Sequence, residues 1–368
     1  DRAWAYYSSA ADDLETYHEN RAVFRRIWLR PRILRNVRYV DPSTKILGIP
    51  SALPFYITAT ALGRMGHPDG ELNLTRAAAK TGLIQMIPTL SSVSFDEIID
   101  ARNQEGGPAQ FFQLYVSTDR NVVANMLRRA EETNVKAIFV TVDAPQLGRR
   151  EQDMRMHFVD EGSNVQGGHV EKRDEGAARA ITSFIDPSFD WDDVLWMKRQ
   201  TRLPILLKGV QTWEDAVQAY EMGLAGVVLS NHGGRQLDFA RSGVEVLEEV
   251  MRELRKRGSF PNPAFQVMVD GGFRRGTDIL KALAMGATAV GIGRPFLYAY
   301  SAYGVDGVIH AINLLRDELE MNMRLIGARS IEELVPSMVD LSALHNHTGA
   351  VFPKQDQSVL DFMDKSRL

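Results

Sequence analysis

The 368-residue chain contains no cysteine. That one absence removes disulfides, cysteine–zinc sites, iron–sulfur clusters, thiol nucleophiles and covalent haem attachment, while saying nothing firm about compartment. Long apolar runs are missing too. The longest, 282–293, is rich in glycine and alanine and falls short of the roughly 18 residues expected of a membrane span. Neither sign of charge dominates: 43 Lys and Arg against 47 Asp and Glu leave a net charge of −4. Bulk electrostatics therefore offer no pull toward nucleic acid or a membrane. Neither G-x-G-x-x-G nor G-x-x-x-x-G-K-[ST] occurs, which disfavours a Rossmann dinucleotide site and a P-loop. There is no H-E-x-x-H, the 8 histidines are scattered, and His345 and His347 read as solvated tail residues. No metal site is expected.

What is present alternates. Residues 1–40 read as helical and are dense in aromatics and arginines, among them Trp4, Tyr6, Tyr7, Arg25 and Arg26. After Pro42, eight β-rich runs follow at 54–61, 83–89, 110–116, 137–143, 203–210, 226–231, 265–272 and 289–295. Amphipathic stretches lie between them at 71–80, 119–133, 212–222, 244–256 and 277–285, with Thr212 and Asp215 at capping-box spacing. Gly82, Gly223 and Gly286 fall where helix C-caps belong. Runs this apolar suit strands buried on both faces. Eight such units predict an α/β fold, a TIM (β/α)8 barrel with an N-terminal helical segment, with a doubly wound open sheet as the alternative. The interval after the fourth run is too long for one helix, and 161–176 is glycine-rich and charged. We expect a lid insertion there, at about 144–189. The barrel domain would then span 1–345, followed by a tail at 346–368.

In such a barrel, chemistry happens at the C-terminal ends of the strands. Polar residues stand at those ends: Thr58 and Thr60, Thr89, Gln113 and Tyr115, Thr141 and Asp143, Lys208, Ser230 and His232, Asp270, and Arg294. Lys208 closes the run Ile-Leu-Leu, where its ammonium would face a partly buried site. The stretch 230–235 reads Ser-Asn-His-Gly-Gly-Arg, combining a base, bare backbone and a planar cation able to grip a carboxylate. After the seventh run comes Asp270-Gly-Gly-Phe-Arg-Arg-Gly-Thr277, and within the eighth Gly291-Ile-Gly-Arg294. Glycines that bare the backbone, a following helix N-terminus and arginines suit a phosphate. Flavin mononucleotide (FMN) and pyridoxal phosphate are the two leading compact cofactors. Lys208 serves either one, as a positive charge near a flavin or as a Schiff-base amine.

Together with Thr141-Val-Asp-Ala-Pro145, Leu147-Gly-Arg-Arg-Glu151, Phe112-Gln-Leu-Tyr115 and 230–238, these motifs resemble the FMN-dependent 2-hydroxy-acid oxidising enzymes over about residues 3–345. Residues 3–9, 184–188 and 293–298 are most similar to the branch of cytochrome-linked L-lactate dehydrogenases, with the glycolate oxidases next. The resemblance implies His232 as the base, Asp143 as its orienting carboxylate, and Arg235 with Arg150 and Tyr6 as holders of the substrate carboxylate. It places Tyr115 at the substrate hydroxyl and Lys208 at the flavin N1–O2 edge. Ala59, Thr60, Ala61, Gln113, Thr141 and Ser230 would line the flavin, with Ala61 and Leu90 also shaping the pocket for the substrate side chain. Asp270, Gly271, Gly272, Arg274, Gly293 and Arg294 would hold the ribityl phosphate. It further implies oxidation of an (S)-2-hydroxy acid such as L-lactate, a homotetramer, and a cytochrome c or cytochrome b5-like acceptor. An oxidase passing electrons to O2, or a non-redox phosphate-binding isomerase or lyase, are the other readings.

Two positions depart from the family pattern. Pro88 stands where relatives often carry a flavin-contacting serine, and Ala10 replaces a common glycine. The chain opens at Asp1 with no cytochrome b5-like domain ahead of it, so a processed or truncated product is expected, or an enzyme built without that domain. The resemblance suggests the mitochondrial intermembrane space, and Ser366-Arg-Leu368 suggests the peroxisome.

Overall fold

The computed structural model describes residues 2–155 and 184–347. Its N-terminal segment is less helical than the sequence pattern predicts. Helix α1 (Arg2–Ser8) and helix α2 (Glu15–Ala22) are separated by Asp12 and Leu14, both with left-handed backbone. After a short 3-10 turn at Val23–Arg26 the chain is extended. Trp28–Leu29 pairs with Val339–Asp340, and the N–H groups of Arg30 and Arg32 donate to Met338 and Ile326. Those distant carbonyls, and Pro31 with its missing N–H, win over local helix propensity.

Eight strands form the centre: β1 (Phe55–Ile57), β2 (Met86–Pro88), β3 (Gln110–Leu114), β4 (Val135–Thr141), β5 (Ile205–Val210), β6 (Gly226–Leu229), β7 (Gln266–Asp270) and β8 (Ala289–Ile292). Each lies parallel to its neighbour, β8 pairs with β1, and Ile57 bridges Gln85 just before β2. The sheet is a nearly closed TIM barrel. Every strand residue is buried except Lys136. Inward, Tyr56, Phe111 and Phe139 fill the barrel with Met86, Leu206, Val228 and Met268. Phe111 and Phe139 lie 5.0 Å apart between centroids, inside the range where aromatic pairs attract.

Outward, the strands pack on α3 (Leu72–Thr81), α4 (Phe95–Glu105), α5 (Arg120–Glu132) and, after the four-residue α6 (Glu151–Met154), on α7 (Trp191–Gln200), α8 (Trp213–Glu221), α9 (Gly243–Lys256), α10 (Gly276–Met285) and α11 (Arg294–Ile326). Gly82 and Gly286 end α3 and α10 with left-handed backbone, the conformation glycine adopts without a Cβ penalty. The capping box expected at Thr212 is half made. Its hydroxyl accepts from the Asp215 N–H but donates to the Asp215 carboxylate at 2.8 Å. Reciprocal boxes form instead at Ser94 with Glu97 and at Ser242 with Glu245. Helix α11 is kinked at Tyr303 and Gly304.

Most of the lid expected at 144–189 falls on 156–183, outside the described residues, as does the tail from 348 onward with Ser366-Arg-Leu368. His345 and His347 are half-exposed but not merely solvated: their Nε2 atoms lie 3.6 and 3.0 Å from Glu248 and Glu245 of α9. Arg26 stands between Glu245 and Glu19, so that acidic group carries its own cation. Among the described residues no helix is long and apolar enough to cross a membrane.

Candidate active site

At the C-terminal end of the barrel lies an open cleft with about 1090 Å³ of empty space, its mouth included. Strand β6 delivers Ser230 and His232. His232 has left-handed backbone, φ 59°, uncommon for a residue with a Cβ and a cost the surroundings must offset. Its backbone N–H donates to Ser230 Oγ at 3.0 Å. Asn20 and Asn231 exchange amide hydrogen bonds at 2.9 and 2.8 Å, tying this turn to α2.

The imidazole is held at both nitrogens. Nδ1 lies 3.0 Å from Asp143 Oδ1, and Nε2 lies 3.2 Å from the Tyr115 hydroxyl at the cavity wall. Burial pushes the His232 pKa down, and the neighbouring Asp143 opposes this only in part, so the ring is neutral near pH 7. With Nδ1–H donating to Asp143, the lone pair on Nε2 faces the cavity. Asp143 is buried, which resists its ionisation, yet His232 and then Lys208 hold its pKa below the ordinary value. Burial pushes the Tyr115 phenol well up, and Asp143 adds to this, so it stays protonated.

Four arginines line the cavity, and none forms an ion pair with a carboxylate among the described residues. Arg235 donates to the carbonyls of Tyr6 and Ser9 at 2.7 and 3.2 Å, with its guanidinium carbon 4.7 Å above the Tyr6 ring. Arg150 is buried, and its Nε has no hydrogen-bond partner. Burial, then the charge of Arg235, pushes its pKa down to about 10. Arg294 donates to the carbonyls of Tyr7, Gly233 and Ser9 at 3.0, 2.8 and 2.9 Å. Arg274 caps its own Phe273 carbonyl at 2.9 Å. Burial depresses both of these, Arg294 to about 10. Asp153 offsets the burial of Arg150 only in part, and a cation so placed is costly unless an anion arrives. Arg150 and Arg235 pair beside the base, Arg274 and Arg294 pair beside the glycines, and the Ser9 carbonyl accepts from a member of each.

Lys208 stands between the ends, 3.4 Å from Asp270 Oδ2 and 3.3 Å from Ser230 Oγ. Burial works against its charge, but Asp270 and Asp143 outweigh it and raise the pKa. An amine held as ammonium suits stabilisation of a nearby negative charge and does not suit Schiff-base formation. That charge fits the flavin, the first of the two cofactor classes. The phosphate end fits as well. Gly271 and Gly272 have φ 95° and 87°, and a Cβ on Gly272 would sit 1.8 Å from the Asn20 carbonyl. Thr58 and Thr60 leave buried hydroxyls with no protein partner beside Gly293.

Of the sequence-predicted residues, Tyr6, Ala59, Thr60, Ala61, Gln113 and Tyr115 reach the cavity wall, as do Thr141, Arg150, Lys208, His232 and Arg235. So do Asp270, Gly271, Gly272, Arg274, Gly293 and Arg294. Asp143 and Ser230 stand behind the wall, one orienting His232 and the other receiving Lys208 and the His232 N–H. Pro88 and Leu90 are on the wall. Sequence reasoning gave no role to Gln236, whose amide donates to the carbonyls of Asp143 and Gln146 at 2.8 and 2.9 Å and joins the two loops that carry base and carboxylate. Its place beside Arg235 was the available signal. Tyr7, Phe273 and Leu297, also on the wall, gave none.

Comparison with known proteins agrees with this geometry. The family model described as FMN-dependent dehydrogenase matches residues 1–341. The L-lactate dehydrogenase (cytochrome) of Wickerhamomyces anomalus is 53% identical over 345 residues, covering 94% of this chain and 59% of that protein. The chain therefore spans less than two thirds of that relative. Glycolate oxidase 3 of Arabidopsis thaliana is 44% identical over 337 residues, 89% of each chain. A doubly substituted flavocytochrome b2 with pyruvate bound superposes with TM-score 0.87 at 48% identity, covering 98% of this chain and 87% of that one. The chain belongs to the FMN-dependent dehydrogenase family, and its cofactor is FMN.

Proposed function

We propose that this protein oxidises an (S)-2-hydroxy acid, L-lactate first among them, to the 2-oxo acid, pyruvate. The observation that carries the reading is His232 Nε2 at the cavity wall, 3.2 Å from the Tyr115 hydroxyl, with the buried Arg150 and the half-buried Arg235 on the same wall and neither in an ion pair with a carboxylate among the described residues. Arg235 and Arg150 bind the substrate carboxylate, and the unpartnered Nε of Arg150 gains an acceptor. Tyr6 flanks the same end, its ring beneath Arg235. The protonated Tyr115 phenol orients the substrate hydroxyl. The oxidation releases two electrons and two protons, and FMN when bound would supply the acceptor for both electrons and one of the protons. His232 takes one proton at Nε2, and Asp143 stabilises the resulting imidazolium through Nδ1–H. Lys208, held as ammonium by Asp270 and Asp143, would supply positive charge to the flavin. Arg274, Arg294 and the bare backbone at 271, 272 and 293 hold the phosphate. Ala59, Thr60, Gln113 and Thr141 would frame the ring between them, with Ser230 behind the wall.

Electrons then leave for a cytochrome or another acceptor, as the name of the W. anomalus relative suggests. An oxidase that reduces O2 to H2O2 is the second reading, supported by the glycolate oxidase that matches over nearly its whole length. Anaerobic mixing of the FMN-loaded protein with a panel of (S)-2-hydroxy acids tests the reaction. Bleaching of the flavin by L-lactate is expected, and flavin that stays oxidised with every acid sinks the proposal. Admitting O2 or cytochrome c to the bleached protein then separates the two acceptors by which one restores the colour and whether H2O2 accumulates.

A further inference from the structure

Glu71, at the N-terminal edge of α3, is completely buried and has no role in the chemistry above. Three donors converge on its carboxyl group: the Gly63 N–H at 2.8 Å and the Ser92 N–H at 3.0 Å on Oε1, and the Ser92 hydroxyl at 2.6 Å on Oε2. Gly63 belongs to the loop after β1 and Ser92 to the loop after β2. Those loops carry Ala61 and Leu90, which stand on the cavity wall. With Tyr115, Ala144 and Ile185 they form a small apolar cluster beside the base. The two loops also touch one another directly, through Leu62 N–H to the Leu90 carbonyl at 3.4 Å. Ser92 Oγ also accepts from the Arg64 N–H at 2.8 Å. The fit at Gly63 is tight: a Cβ there would lie 2.9 Å from the Glu71 carboxyl carbon.

We infer that Glu71 is a positioning residue for substrate choice, stapling the β1 and β2 loops so that Ala61 and Leu90 close the pocket around a short side chain. This rests on the cavity being a 2-hydroxy-acid site. Both backbone donors sit on one oxygen, so glutamine in place of Glu71 can keep them, whereas aspartate is one methylene too short to span the loops. A wall displaced by about a methylene changes discrimination by roughly 10–200-fold.

The test uses FMN-loaded parent, Glu71→Asp and Glu71→Gln proteins. It compares kcat/KM for (S)-2-hydroxypropanoate with (S)-2-hydroxyhexanoate, the Kd of the matching 2-oxo acids by flavin absorbance, the FMN Kd and Tm. Glu71→Asp should lower the short-to-long ratio by about tenfold, mainly through KM and with FMN affinity unchanged. Glu71→Gln should stay within about twofold of the parent. A folded Glu71→Asp with the parent's ratio, or a Glu71→Gln that shifts as far, overturns the staple. If Glu71→Asp does not fold, Ser92→Ala should shift the ratio in the same direction, and no shift there overturns it as well. Parent protein that reduces flavin with no acid fails the reading of the site itself and the proposal with it. A working parent with unmoved variants fails only the proposal.

Discussion

The two pairs of arginines in the cleft form no ion pair with a carboxylate among the described residues, yet they are held differently. At the end formed by β7 and β8, Arg294 is held by three backbone carbonyls beside glycines whose backbone is left-handed. At the end formed by the β4 and β6 loops, Arg150 keeps a buried Nε with no partner, and Arg235 opposes its charge. Thr58 and Thr60 add buried hydroxyls with no partner beside Gly293, and this arrangement suits a resident phosphate. At the second, the unmet donor is Arg150 Nε beside the opposing charge of Arg235, which suits a carboxylate that comes and goes. Ser9 joins the ends, its carbonyl accepting from both Arg235 and Arg294.

If this division is right, substitutions at the substrate end should disturb turnover and leave FMN in place. His232→Gln should lower the flavin reduction rate by about 10²–10⁴, the usual contribution of a base, with an unchanged FMN Kd. Stopped-flow reduction by L-lactate measures the first, and near-parental rates would remove His232 from the mechanism. Asp143→Asn should slow reduction and also move the pH profile. The neutral imidazole is the active form, so kcat/KM falls on the acid side of its pKa, which burial places below the ordinary value of 6.5. Asp143 raises that pKa against burial, so its loss should carry the acid limb to still lower pH; a limb moving upward would contradict the account. Arg235→Lys loses the two-pronged grip and should raise KM by roughly tenfold to a hundredfold, with a smaller change in kcat. Tyr115→Phe should cost least, about tenfold in kcat/KM, the worth of one hydrogen bond to a charged or polarised group.

The cofactor end was the more legible of the two in the sequence. Its glycines and arginines lie in two short contiguous stretches, 270–277 and 291–294, each tied to a strand end that hydrophobic patterning locates. The substrate end draws Tyr6, Tyr115, Asp143, Arg150, His232 and Arg235 from five separate segments, and the family resemblance, not spacing, grouped them. All eight strands were readable because both faces of each are buried, which makes them continuous apolar runs. The N-terminal 40 residues were misread because their backbone partners, Ile326 and Met338, lie some three hundred positions away and local propensity carries no record of them. Glu71 was invisible for the same reason: on a helical stretch it looks like an ordinary first-turn acid, and only folding brings Gly63 and Ser92 to it.

The division of labour between the ends is tested most directly by two dissociation constants in two variants. FMN binding to apoprotein and 2-oxo acid binding to FMN-loaded protein are measured for Arg294→Met and Arg235→Met. The account predicts that Arg294→Met weakens FMN by about tenfold or more, the loss of one charged donor, and leaves pyruvate affinity in the loaded protein near the parent's. Arg235→Met should do the reverse. Both substitutions weakening the same ligand, with the other untouched, would contradict it.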